Sequence, residues 1–161
     1  MNEEDVTSVA KKIKWSQSIL IIRGGTTRQE SVFNGLKGVG EEVVLIHDGA
    51  RCYLNQKSID DCLNALESKK ACLLMVPCKD TIKEVENGKV RKTLDRSILY
   101  QAQTPQAFKT DLIFECYCKA MEENYHATDD AQIVEKYSDE EVVLVPGDYS
   151  NIKVTTLEDL R

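Results

Sequence analysis

The sequence predicts an α/β fold: a mostly parallel, Rossmann-like sheet, helices on both of its faces, and a protruding β-hairpin arm. Three observations carry this. Short apolar runs alternate with stretches of helical periodicity through the first half of the chain. The runs are continuous rather than alternating, as expected of strands covered on both faces. A charged segment around Asn87-Gly88 then breaks the alternation with the preferred two-residue hairpin turn.

Residues 4–14 read as a helix, with Val6, Val9, Ala10 and Ile13 at helical spacing. Ile19–Ile22 reads as a first buried strand. Gly24-Gly25-Thr26-Thr27-Arg28 is a turn into a helix that presents Val32 and Leu36 inward. Thr27 and Glu30 have capping-box spacing at its start. Val43–Ile46 is a second strand. Asn55 or Ser58 opens the next helix, on which Ile59, Cys62, Leu63 and Leu66 form one apolar stripe. Ala71–Val76 is a third strand, and the crossovers are expected to be right-handed. The hairpin follows. It carries few apolar residues, so in water it needs a neighbour. Beyond it come a loop at 100–107, a helix from about 109 to 124, a short helix at 129–137, and strands at 142–145 and 151–154. Thr156 and Asp159 have the spacing of a further helix start. No linker or repeat divides the chain, so residues 1–161 are expected to form a single domain, with the hairpin region at about 80–96.

Composition narrows the function classes. The chain has 161 residues, of which 42% are hydrophobic and 30% charged, with a formal net charge of −6. That is the profile of a globular domain. An acidic chain is a poor general binder of nucleic acid or anionic membrane, so no partner of either kind is expected. The longest apolar runs fall far short of the ~20 residues of a membrane span. The start, Met1-Asn2-Glu3-Glu4-Asp5, is acidic rather than signal-like. The expected location is therefore cytoplasmic. Six cysteines occur without a C-x-x-C pair, and only two histidines, His47 and His126, accompany them. Disulfides and zinc are not expected, and Cys62, Cys72 and Cys116 read as small core residues.

Several turns carry residues suited to anionic ligands. Gly24 and Gly25 allow close backbone approach to a ligand, and the helix after them offers N–H groups and a positive dipole end, with Arg28 and Ser31 in its first turn. The same residues also serve as a plain strand-to-helix connection. His47-Asp48-Gly49-Ala50-Arg51 follows a strand end, where ligands of open α/β sheets bind. Asp48 there suits a metal ion, a ribose hydroxyl or a basic partner. Arg51 suits a phosphate, or a pairing with Asp48. Gln101 to Phe108 is rich in amides, which either fix a ligand or satisfy buried backbone. Thr128-Asp129-Asp130 reads first as a helix cap and only weakly as a metal site. Lys153, between Ile152 and Val154, is either solvated or a phosphate contact at the same end of the sheet.

The order of these motifs is more specific than any one of them. G-G-x-x-R-x-x-S-V, H-D-x-A-R, D-T-I-K, T-L-D-R, Q-T-P-Q-x-F, T-D-D-A and N-I-K-V-T-T-x-E-D-L run from Arg23 to Leu160. This series resembles the 2-C-methyl-D-erythritol 4-phosphate cytidylyltransferases of non-mevalonate isoprenoid synthesis. The ribitol 5-phosphate cytidylyltransferases share Q-T-P-Q and N-I-K-V-T. Thr93-Leu94-Asp95-Arg96 and Asp80-Thr81-Ile82-Lys83 look more like the erythritol enzymes. The resemblance implies a nucleotide-diphospho-sugar transferase type of sheet and a transfer of the cytidylyl group of CTP, with Mg2+, to a sugar-alcohol phosphate.

By position in those motifs, Gly25, Thr26, Arg28, Ser31, Asp48 and Gly49 look like nucleotide contacts, with Asp48 also a metal ligand. Arg96 and Lys153 look like the catalytic cations that position the phosphate for attack. Thr81, Arg51, Thr104 and Thr128 look like further substrate contacts. The resemblance makes the hairpin an arm that embraces a second subunit, giving a homodimer. There are departures. Cys52 stands where the family usually has Pro after H-D-x-A-R. The family's opening strand and A-A-G-x-G-x-R-M loop, which wraps the triphosphate, have no counterpart, and Met1 to Lys14 matches a later helix. The chain is thus expected to be N-terminally incomplete as a cytidylyltransferase domain. A dimerising homologue that binds without catalysis, and a ribitol phosphate enzyme, are the alternatives.

Overall fold

The structure is a computed structural model that describes residues 19–160. The helix expected over 4–14 lies outside the described residues. The chain falls into two compact units, Met1–Gly40 and Glu41–Arg161.

In the first unit, helix α1 (Arg28–Leu36) starts where the capping signal places it. The Thr27 hydroxyl accepts from the Glu30 amide at 3.1 Å. Ile19–Ile22, expected as a buried strand, is not one. It pairs with no strand among the described residues, and its side chains are 37–71% exposed. An apolar run becomes a strand only when a neighbour takes up its backbone hydrogen bonds. Here it lies instead against Gly38, whose missing Cβ would sit 2.7 Å from Ile22 Cδ1 and 3.1 Å from Leu20 Cδ2.

The second unit holds a mixed sheet. In chain order its elements are β1 (Val43–Ile46), α2 (Gln56–Ala65), β2 (Ala71–Pro77), the hairpin strands β3 (Lys83–Glu86) and β4 (Lys89–Thr93), then β5 (Tyr100–Lys109), α3 (Thr110–Glu122), α4 (Asp130–Tyr137) and β6 (Val142–Pro146). The strand order is β1-β5-β2-β6, with β3 and β4 forming a separate two-stranded sheet. Strand β6 runs parallel to β2, while β5 runs antiparallel to both β1 and β2. The α/β class is as expected, but β1 and β2 are not neighbours, because β5 lies between them.

Strand β5 is the largest correction. Residues 100–107 were expected as a loop because they are polar. They form most of the longest strand, and Gln103, Thr104 and Gln106 are buried at 1–6% exposure. Polar side chains sit inside a sheet when each finds a partner, and these do. Leu73 pairs with Gln106, whereas Met75 pairs with Ala102. Residues of β5 are therefore looped out between the two pairings, a bulge of the kind that re-aims side chains next to binding sites. The Thr104–Pro105 peptide in the bulge is cis. Residues 151–154, expected as a strand, form no regular element. Their backbone bonds are two local ones, Asn151 N to Asp148 O at 3.0 Å and Ile152 N to Ser150 O at 2.8 Å, and one distant one, Val154 N to Ala50 O at 2.8 Å.

Alternation along the strands divides the core. Cys72, Leu74, Ala107 and Val145 pack against Cys62 and Leu66 at the α2 end of the sheet. Helix α2 is capped by Asn55, which accepts from Ser58 N at 2.8 Å. Helices α3 and α4 pack on each other and contribute the buried Ile113, Cys116, Tyr117, Ala120, Ile133 and Val134. Asp130, fully buried at the start of α4, accepts from Tyr117 Oη. The hairpin turns at Asn87 and Gly88, both with positive φ (50° and 74°), as a type I′ turn requires. All six cysteines are free thiols. No helix among the described residues is long and apolar enough to cross a membrane.

Candidate active site

In the second unit, three segments distant in sequence meet at the looped-out part of β5. The first is the turn after β1, closed by Arg51 N donating to Asp48 O at 2.9 Å. Its Asp48 amide donates to Thr104 Oγ1 at 3.0 Å. The second is β5 itself. The third is the segment after β6, where Gln103 Nε2 donates to Asp148 O at 2.8 Å and Asn151 Nδ2 donates to Thr104 O at 2.9 Å. Gly147 lets the Gln103 amide approach, since a Cβ there would lie 2.5 Å from Gln103 Oε1.

This framework brings together four of the sequence-expected residues: Asp48, Arg51, Thr104 and Lys153. Lys153 Nζ lies 2.8 Å from Asp48 Oδ2, with the carboxylate side chain 16% and the lysine 44% exposed. Arg51 threads inward. Its Nη1 donates to Asn151 O at 2.7 Å and its Nη2 to Ala102 O at 3.4 Å. Burial draws the Arg51 guanidinium below its ordinary pKa, and the charge of Asp48 opposes that. As an arginine it stays protonated. The result is a carboxylate paired with a lysine, and an arginine anchored to two backbone carbonyls in the same framework. Among the described residues, Arg51 Nε and Asn151 Oδ1 are buried polar atoms without a partner.

Other expected residues lie elsewhere. Thr81 and Arg96 stand at the foot of the hairpin, where Leu94 N donates to Ile82 O at 2.9 Å. Arg96 Nη1 donates to Lys79 O at 2.5 Å. Thr128 donates through its amide and hydroxyl to Gln132 Oε1, at 2.7 and 3.0 Å. Asp129 is the cap of α4 and accepts from Gln132 N at 2.9 Å. Gln106 clamps the same helix start, donating to Asp129 Oδ2 at 2.9 Å and accepting from Ala131 N at 2.8 Å. Thr128-Asp129-Asp130 is thus a helix cap. No group of three potential metal ligands occurs among the described residues.

In the first unit the glycine turn is closed on itself. Gly25 N donates to Ser31 Oγ at 3.0 Å, and Thr26 donates through both its amide and its hydroxyl to Glu30 Oε2, each at 2.6 Å. A Cβ on Gly25 would collide with Glu30 Cβ at 2.2 Å. Residue types alone did not single out His47, Gln103, Asp148 or Asn151. The one available signal was adjacency, since each stands beside or within a motif that carries a candidate.

A family model described as IspD, 2-C-methyl-D-erythritol 4-phosphate cytidylyltransferase, matches residues 1–161. The chain belongs to that family. A cytidylyltransferase of that name from Bacillus pumilus is 40% identical over 164 residues, covering 99% of this chain and 72% of the relative. One from Clostridioides difficile is 43% identical over 147 residues, covering 90% of this chain and 62% of the relative. The chain thus spans 62% and 72% of the length of these two relatives. A 4-diphosphocytidyl-2C-methyl-D-erythritol synthase from Anaerococcus prevotii superposes with a TM-score of 0.90 at 36% identity, covering 99% of this chain and 75% of that one. Membership bears out the resemblance read from the motifs, and with it the nucleotidyltransferase class and the isoprenoid role of the cytidylyltransferase family.

Proposed function

We propose that this chain takes part in cytidylyl transfer from CTP to 2-C-methyl-D-erythritol 4-phosphate, releasing pyrophosphate and forming 4-diphosphocytidyl-2-C-methyl-D-erythritol. The observation that carries the reading is the Asp48–Lys153 pair beside Arg51, in a chain of the cytidylyltransferase family. A phosphate oxygen of the sugar alcohol attacks the α-phosphorus of CTP. The bond to the β-phosphate breaks, and pyrophosphate carries away the electron pair. No covalent intermediate is needed, so positioning and charge neutralisation do the work. In this reading Lys153 and Arg96 draw the attacking phosphate into line. Arg51, Thr81, Thr104 and Thr128 hold the sugar phosphate. Gly25, Thr26, Arg28, Ser31 and Gly49 serve the nucleotide, and Asp48 fixes the Lys153 ammonium.

Magnesium belongs to the proposal only as the companion of CTP. Such an ion keeps water and phosphate ligands and needs one or two carboxylates from protein. Asp48 is already held by Lys153, and no three-ligand group accompanies it among the described residues. Asp48 is the carboxylate that would serve such an ion, and no step is routed through it. The free cysteines fit a reducing, cytoplasmic setting. A homodimer through the hairpin is part of the same reading. Val85 and Val90 are cross-strand partners, 57% and 63% exposed, and the ribbon pairs with no other strand among the described residues.

Pyrophosphate release from CTP, measured with methylerythritol phosphate and with ribitol phosphate, tests the proposal. Turnover with the first above the second supports it. The reverse preference assigns the ribitol reaction. Binding of the sugar phosphate without turnover assigns the non-catalytic alternative.

A further inference from the structure

We infer that His47, to which the motif reading assigns no role, is the positioning residue that shapes the Asp48–Arg51 turn; its catalytic relevance rests on the reading above. The ring of His47 bridges two oxygens. Nε2 lies 3.0 Å from Arg51 O, and Nδ1 lies 3.1 Å from Thr104 Oγ1. A carbonyl oxygen only accepts, so Nε2 carries the proton. In a neutral imidazole Nδ1 is then a bare acceptor, and the Thr104 hydroxyl donates to it. That hydroxyl in turn accepts from Asp48 N at 3.0 Å. Arg51 N donates to Asp48 O at 2.9 Å.

The first three of these hydrogen bonds run head to tail through shared groups, and the fourth closes the turn separately. Asp48 N–H donates to Thr104, Thr104 to His47, and His47 to Arg51 O, while Arg51 N–H returns to Asp48 O. Bonds aligned this way polarise one another and fix each donor's direction. The ring therefore sets two things at once. It holds the turn that carries Asp48 and Arg51 against β5, and it fixes where the Thr104 proton points. Imidazole suits this because its two nitrogens are rigidly spaced and only one is a donor. Asparagine and glutamine each reproduce one half. The amide oxygen of Asn can accept from Thr104, and the amide nitrogen of Gln can reach Arg51 O.

The test compares wild type with His47→Phe, His47→Asn and His47→Gln, using Asp48 amide hydrogen exchange by NMR and the kinetics of pyrophosphate release. In His47→Phe, Asp48 exchange should accelerate about tenfold or more while the melting temperature and the exchange of the β2 amides stay in place. KM for the sugar-alcohol phosphate should rise about tenfold with KM for CTP little changed, and the Asn and Gln variants should recover part of both effects. Unchanged Asp48 exchange in His47→Phe overturns the inference. So does acceleration spread evenly over the unit, or a ring 15N spectrum showing the proton on Nδ1. If wild type binds but turns nothing over, the cytidylyl-transfer reading fails, while the exchange data still decide the role of His47.

Discussion

Lys153 meets the protein through its charge, 2.8 Å from Asp48, while almost half of its side chain remains exposed. A pair of that exposure adds little to folding. Lys153→Met should therefore leave the urea midpoint close to wild type, within about 1 kcal/mol of stability. The same variant should lower kcat/KM for cytidylyl transfer about 100-fold, since it removes a cation held for a developing charge. Asn151 is the opposite case. It is 1% exposed, and its amide donates to Thr104 O. Asn151→Ala removes that bond, strands a buried carbonyl and leaves a cavity. Urea unfolding should show a loss of about 2–4 kcal/mol. Its kinetic defect should follow from displacement of Arg51, which donates to the same residue's carbonyl.

Strand β5 and the hairpin are elements whose character depends on what lies beside them. Strand β5 is amide-rich yet central, because Gln103 and Gln106 each spend both ends of their side chains inside the protein. The hairpin is regular in its turn and shifts register once, between Glu84 and Val85, and its Val85 and Val90 side chains are exposed. The double variant Val85→Lys/Val90→Lys keeps the turn and the strand pairing. If the ribbon is the dimer arm, the variant should sediment as a monomer where wild type sediments as a dimer, with the far-UV spectrum unchanged. A wild-type monomer at micromolar concentration removes the arm from the proposed function.

Across the molecule the ionisable groups predict how it responds to acid. Several carboxylates are held below their ordinary pKa by neighbours: Glu42 by Lys109, Asp95 by the hydroxyl and amide of Ser97, Asp148 by the amide and hydroxyl of Ser150, and Asp159 by the amides of Thr155 and Thr156. A carboxyl group depressed in the folded state binds protons more weakly there than in the unfolded chain. Its contribution is complete above the unfolded value, near pH 4, and is lost as pH falls through the lower folded value. The urea midpoint should thus be flat from about pH 7 to 5 and then fall steadily below about pH 4. Simultaneous Asp95→Asn and Asp148→Asn substitution should shrink that fall.

At the level of single residues, the sequence is sufficient for the helices from Arg28 to Tyr137 and for the hairpin. Thr27, Asn55 and Asp129 cap helices where the local pattern places a start, and Asn87-Gly88 turns as its backbone preferences require. Those are short-range effects, decided within a few residues. It was also sufficient for Asp48, Arg51, Thr104 and Lys153 as candidates, because their residue types suit a phosphate and the family motifs name them. What it did not contain was partnership. Ile19–Ile22 is as apolar as a buried strand and is not one, while Gln101–Phe108 is as polar as a loop and is mostly buried strand. Burial of either kind depends on which distant groups arrive to satisfy the backbone and the side chains. The same holds for the candidate site. Only the tertiary structure brings Asn151 and Lys153 to the β1 turn and sets Thr104 against His47, because those contacts join residues 57 or more positions apart, which no local pattern encodes.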